Sequence, residues 1–174
     1  MPKFVTPRTM PKKRNNMSYV QDPLQSLLGF QEALTAGLIQ PRLSTLYPDL
    51  IVFHDDADGS PRYTYALMDG KVVKAIAVYF LDKTLGNYPC FDIGYAVAEP
   101  YRQKGNAHAV VEKSLAQLQH ETKGKVLKLY VEAVVPNLNT ASQKVAARAL
   151  SSTPTEIVDG VSGHPSQHYL RLFE

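Results

Sequence analysis

The chain has 174 residues, of which 44% are apolar and 20% charged, the composition of one globular domain with its own core. It contains no run of roughly 20 apolar residues, so a membrane-spanning helix is not expected, and neither is a secretory leader. A single cysteine, Cys90, cannot form an internal disulfide, which fits a reducing, cytoplasmic setting.

The first 20 residues hold Lys3, Arg8, Lys12, Lys13 and Arg14 and no acid, interspersed with Pro2, Pro7 and Pro11. So little apolar surface predicts a solvated basic tail over 1–20 and a single domain over 21–174. Because the whole chain is only +3, the domain itself is slightly acidic, and any contact with nucleic acid would run through the tail. Asp22 followed by Pro23 is a favoured helix start. Leu24, Leu27, Leu28, Ala33, Leu34 and Leu38 continue an apolar stripe, which predicts a helix over 23–37. A short strand is expected at 50–54 and a turn at 55–59, whose acids lack the spacing and closing Glu of a calcium loop. Residues 62–68 and 71–80 form a hairpin about Asp69-Gly70, and 82–89 is expected to be a polar loop.

A strand at 91–97 follows, ended before Pro100. Residues 102–107 lead into a helix with Ala109, Val110, Leu115 and Leu118 on its apolar face, stopped by Lys123-Gly124-Lys125. Residues 126–134 alternate Leu127, Leu129 and Val131 against Lys128, Tyr130 and Glu132, the pattern of a strand that Pro136 breaks. A second core helix over 137–150 is capped by Asn137 or Asn139, and 156–159 and 168–173 are closing strands. The order predicts a mixed α/β (α+β) sheet layered with helices, with no internal repeat.

Strand, basic turn and helix N-terminus together describe an anion site, because free backbone N–H groups and the positive end of the helix dipole converge there. Arg102 or Lys104 can add a charge-assisted contact, and Gly105 lets the backbone approach a phosphate. An ordinary strand–loop–helix connection is the alternative. Arg102, Gly105 and Ala107 fall at i, i+3 and i+5, which resembles the R/Q-x-x-G-x-G/A signature of the GCN5-related N-acetyltransferases (GNAT). Asp92-Ile93-Gly94-Tyr95 resembles the E-I-G-Y element of the branch containing the ribosomal-protein N-terminal acetyltransferases (RimJ/RimL-like), with Asp for Glu. Asn139, Ser142, Val145 and Ala146 resemble the family's N-x-x-S-x-x-V-A element. The likeness covers roughly residues 50–173.

The resemblance implies a central sheet of six to seven strands with flanking helices and splayed central strands. It implies acetyl-CoA as donor, its pyrophosphate held by Arg102, Gln103, Lys104, Gly105, Asn106 and Ala107, with Asn139 and Ser142 on the cofactor side. A bulge near Val97 and Ala98 would offer backbone groups to the pantetheine arm, with a backbone N–H near Val97 on the thioester carbonyl. The family often places a Tyr four residues beyond the Ser position; here that residue is Ala146, which leaves Ser142 as the candidate near the sulfur. Asp92 stands in the position of the base, with Glu132 as the alternative. Tyr79, Tyr95 and Tyr101 are candidates for the acceptor pocket. One departure concerns the turn after the second helix, where Ala149-Leu150-Ser151-Ser152 replaces the usual Gly-Phe pair.

The implied activity is N-acetyl transfer by direct attack of an amine in a ternary complex, by a monomer or homodimer. A protein N-terminus is the acceptor the resemblance favours; a small-molecule amine, a lysine or an aminoacyl-tRNA would leave the same motifs. Two alternatives are an acyl-CoA-binding sensor without turnover and a nucleic-acid-associated scaffold acting through its tail. No metal is expected, since His54, His120, His164 and His168 lack ligand spacing. His108 is expected to be phosphate-adjacent or exposed, and Cys90 a buried small hydrophobe.

Overall fold

Asp22 starts the first element in the computed structural model, which describes residues 22–174; the basic tail lies outside the described residues. Its carboxylate accepts the Leu24 amide at 3.0 Å, and α1 runs Pro23–Thr35, burying Leu27 and Phe30. The strands are β1 (Arg42–Leu43), β2 (Leu50–Ala57), β3 (Ser60–Asp69), β4 (Val72–Leu85), β5 (Tyr88–Val97), β6 (Leu129–Pro136), β7 (Thr155–Val158) and β8 (Pro165–Phe173). A 3-10 turn at Glu99–Tyr101 precedes α2 (Asn106–Thr122), and α3 spans Thr140–Ala149. They build one eight-stranded sheet in the order β1-β2-β3-β4-β5-β6-β8-β7, one strand more than expected because two residues add to the edge as β1. Every pairing is antiparallel except β5 with β6.

Several boundaries differ from the sequence reading, each for a physical reason. Asp55 and Asp56 lie within β2, where Asp55 pairs with Arg62 across the hairpin, so the turn shrinks to Asp58 and Gly59 with positive φ. The polar loop expected at 82–89 is instead the end of one strand and the start of the next. Thr84 pairs with Pro89 and Leu85 with Tyr88 around Gly86, at φ 60°. Ladder bonds use only the backbone, so polar side chains there mark a solvated ribbon and not a missing strand. The strand expected at 126–134 starts later, with Leu127 84% exposed, but keeps its parity. Leu129, Val131, Ala133 and Val135 are buried, and Pro136 closes the ladder opposite Ser166.

Two cores flank the sheet. α2 and α3 cover one face, packing Val110, Val111, Leu115, Leu118, Val145 and Ala146 onto strand residues such as Tyr65, Ala77, Phe91, Ile93 and Val131. On the other face α1 sets Leu27 and Phe30 against Ala66, Val73, Ile76 and Val78. Gly94 lets α1 come down: a methyl replacing its hydrogen would stand 3.3 Å from Pro23 Cγ. Among the described residues no helix is long and apolar enough to cross a membrane.

The C-terminal end of α2 is tied to the sheet edge through Glu121. Its carboxylate meets Arg42 at 2.5 Å, Gln117 at 2.8 Å, the Tyr65 hydroxyl at 3.0 Å and His54 at 3.2 Å. Gln117, wholly buried, also accepts from Ser44 at 2.6 Å, so the β1–β2 loop is held by the same knot. Burial opposes the Glu121 charge, but the hydrogen bonds from His54, Gln117, Arg42 and Tyr65 outweigh it and bring the group down to about 2. Glu121→Gln is expected to lower unfolding free energy by about 2 kcal/mol at neutral pH. The wild type's advantage should be full above about pH 5 and disappear as pH falls toward 2, because the folded carboxyl is the stronger acid. Urea unfolding of both proteins across that range checks it.

Candidate active site

β5 and β6 are paired over three residue pairs, Cys90↔Tyr130, Phe91↔Val131 and Asp92↔Glu132. Beyond Asp92 and Glu132 they run on to Val97 and Pro136 with no further mutual pairing, while β4 follows β5 to Ala75↔Val97 and β8 follows β6 to Pro136↔Ser166. Each strand is thus fixed on its outer side, and a gap opens between them. The register irregularity in β4–β5 falls between Leu81 and Lys83; from Leu81↔Phe91 to Ala75↔Val97 the ladder is regular, so the bulge expected near Val97 and Ala98 is not there. The gap comes from divergence alone.

Backbone alternation decides which groups face it. The Ala98 amide bonds Lys74 O at 2.8 Å and its carbonyl accepts from the Tyr101 amide at 2.9 Å, so Ala98 is satisfied within the protein. Its neighbour Val97 therefore turns its N–H to the opposite edge of the strand, into the gap. The Val97 carbonyl is engaged by Arg102 Nε at 3.2 Å.

At the gap's end lies the turn into α2. Gln103 and Gly105 both have positive φ, 59° and 77°, and Gly105 caps α2 with no side-chain hydrogen bond. The first-turn amides at Asn106 and Ala107 consequently have no side-chain acceptor at the cap. The loop is braced by its own side chains: Lys104 Nζ donates to Pro100 O at 2.9 Å and Asn106 Nδ2 to Tyr101 O at 2.8 Å. Positive φ, exposed N–H groups and the Arg102 and Lys104 charges make an anion-receptive concavity.

Across the gap, α3 presents Ser142. Asn139 caps the helix by accepting the Ser142 amide at 3.1 Å, and the Tyr95 hydroxyl donates to the Ser142 carbonyl at 2.7 Å. Ser142 is thereby held by its own helix cap on one side and tied to β5 on the other. Burial pushes the Tyr95 phenol up to about 12, which keeps it a donor at neutral pH.

The three tyrosines are not brought together. Tyr79 is fully buried beneath α2 with its hydroxyl 2.7 Å from Ser114 Oγ, and burial pushes its phenol up. Tyr101 sits on the 3-10 turn, donating to Asp69 at 3.0 Å. Only Tyr95 borders the gap. Asp92 and Glu132 share a register position on the face that α1 half covers. Glu132, 6% exposed, is ion-paired to Lys83 and stands within hydrogen-bond distance, 2.8 Å, of His168 Nε2. The sequence reading weighs His168 only as a metal ligand; its contact with Glu132, 36 residues away, is made by strand register alone. Cys90 is buried, and among the described residues no cluster of three or more His, Cys, Asp or Glu could hold a metal.

The sequence profile of the acetyltransferase (GNAT) family matches residues 28–150, well over half of the chain. The chain is a member of the GNAT family. Among solved structures, a GNAT acetyltransferase from Streptococcus pneumoniae is 12% identical with TM-score 0.51, covering 65% of this chain and 67% of that one. Mycobacterium smegmatis RimJ, in complex with CoA-disulfide, is 22% identical with TM-score 0.47, covering 66% and 53%. The Salmonella typhimurium enzyme that modifies the N-terminal serine of ribosomal protein L7/L12 is 18% identical with TM-score 0.46, covering 65% and 64%. The chain thus spans less than two thirds of the length of the latter two. No curated protein matches its sequence. In the GNAT member described here, Asn139→Ala should cost about 1 kcal/mol by uncapping α3, and Asn139→Asp should retain most of it. Thermal unfolding of the two variants checks this.

Proposed function

We propose that this GNAT protein transfers the acetyl group of acetyl-CoA to a primary amine by direct attack in a ternary complex. The observation that carries the reading is the gap beyond Asp92 and Glu132, with the Val97 N–H turned into it and the uncapped α2 turn at its end. The pantetheine arm fits the gap as an added strand would, and the pyrophosphate fits the amides at 103–107. The Val97 N–H would polarise the thioester carbonyl.

Attack forms the N–C bond as the C–S bond breaks. The ammonium form of the acceptor carries one proton too many for attack, and Asp92 receives it directly or through water. The second amine proton follows the nitrogen's conversion to an amide and ends on the thiolate, with Ser142 as the hydroxyl beside the sulfur. Cys90 takes no part as a nucleophile, so no acyl-enzyme forms. The preferred acceptor class is a protein N-terminal α-amine. The Asp92-Ile93-Gly94-Tyr95 element supports it, as does the openness of the sheet face, where Val134 and Leu172 are 37% and 38% exposed.

Saturation with acetyl-CoA at 100-fold over its Kd should add about 2.7 kcal/mol, raising Tm by roughly 5–10 °C. Gly105→Val, which forces a β-branched residue into positive φ at the turn, should abolish most of that rise. An unchanged Tm in the wild type would overturn the reading. Ser142→Ala should lower kcat about tenfold with the acetyl-CoA KM unchanged, measured by thiol release.

A further inference from the structure

We infer that His168, held by Glu132, carries the acceptor's proton from the transfer site to solvent, with Glu132 as its positioning residue. The inference rests on the acetyl-transfer reading and adds to it a residue that no motif marks.

Strand parity and register place the pair. On β6, Leu129, Val131, Ala133 and Val135 fill the α2–α3 core, so Glu132 and Val134 point to the opposite face. On β8, Tyr169 and Phe173 join that same core, and His168, opposite Val134, stands with Glu132. Asp92 pairs with Glu132 in register on β5, and its neighbour Ile93 belongs to the α2–α3 core, so Asp92 shares this face. The gap opens in the direction from Glu132 towards Val134. His168 therefore stands one strand beyond β6, whose inner edge is the far lip of the opening, and its link to Asp92 on the near side runs through Glu132.

The chemistry follows from the contacts. The Glu132 side chain is 7% exposed and bridges two groups, Lys83 through one oxygen and His168 Nε2 through the other, the latter at 2.8 Å. Facing a carboxylate, Nε2 of the neutral ring carries the hydrogen, and Nδ1 is left as the proton acceptor. The His168 side chain is 24% exposed, so it reaches water while Glu132 does not. Among the described residues, Lys83 pairs with Glu132 and Asp92 stands opposite it in register. β7 sets Thr155 opposite His168, and Glu156 faces Gln167 one position along. A buried carboxylate that fixes an imidazole's tautomer and orientation suits the ring to passing a proton.

The proton balance is complete within the reaction. R–NH3+ loses one proton to Asp92 or its water, and His168 Nδ1 receives it and releases it to solvent. The second amine proton goes to CoA–S−. The sum is R–NH3+ plus acetyl-CoA giving the amide, CoA–SH and one H+.

The test is thiol release from acetyl-CoA by the full chain, with a pool of peptides bearing free α-amines as acceptor, between about pH 5.5 and 9. His168→Gln should lower kcat about tenfold or more, leave the acetyl-CoA KM unchanged and remove the fall in rate on the acid side. Added imidazole should restore part of the rate of His168→Ala. Glu132→Gln should lower kcat with the same unchanged KM. A His168→Gln enzyme with wild-type kcat and an intact acid limb would overturn the inference. Should that variant not fold, ring-nitrogen NMR on the wild type decides: neutral His168 protonated at Nε2 is expected, and a predominantly Nδ1–H ring would overturn it. A wild type that binds acetyl-CoA but releases no thiol with any peptide would overturn the transfer reading itself. Wild-type turnover with an indifferent His168→Gln would overturn this inference alone.

Discussion

The parallel contact between β5 and β6 lasts for three residue pairs and then stops, and the rest of the site depends on that stop. A sheet that zipped to its end would satisfy every backbone group between these strands and leave no slot for a ligand. Here β4 and β8 hold the outer edges of the diverging strands in register. The unpaired inner edges are therefore fixed in space, not frayed, and stay available to a partner that brings its own amide groups.

Three braces keep the opening in shape. The Arg102 side chain ties the α2 turn back to the Val97 carbonyl, so the anion-receptive loop and the strand that feeds it move as one unit. Tyr95 reaches from β5 to the Ser142 carbonyl and Asn139 holds the Ser142 amide, which fixes α3 relative to the same strand. Lys83, Glu132 and His168 link β4, β6 and β8 on the opposite face, across the place where the divergence begins. The Glu121 knot stands apart from all of these, at the sheet edge under the C-terminal end of α2.

The turn into α2 and the cap of α3 were readable in the sequence because their signals are local. Arg102, Gly105 and Ala107 lie within one turn, and Asn139 and Ser142 within the next helix start, so spacing along the chain is also spacing in space. Element order was readable for the same reason, since alternation and helical stripes are short-range patterns. What escaped depended on register. Glu132 is outward by parity, but that it meets His168 requires knowing that Val134 lies opposite His168. Polarity misled at 82–89, where a solvated ribbon has the composition of a loop. The tyrosines misled in another way: Tyr79 and Tyr95 sit on neighbouring strands and the same face, yet one is sealed beneath α2 while the other borders the gap.

The Val97 N–H is main chain, and so are the amides of the turn at 103–107. A site written in the backbone constrains the path of the chain far more than the identity of its side chains. Over evolutionary time such a protein can exchange nearly all of its residues while the slot persists, provided a glycine remains where φ is positive and the two strands still part. At 12% identity and a TM-score of 0.51, the Streptococcus pneumoniae acetyltransferase shares the fold with this chain.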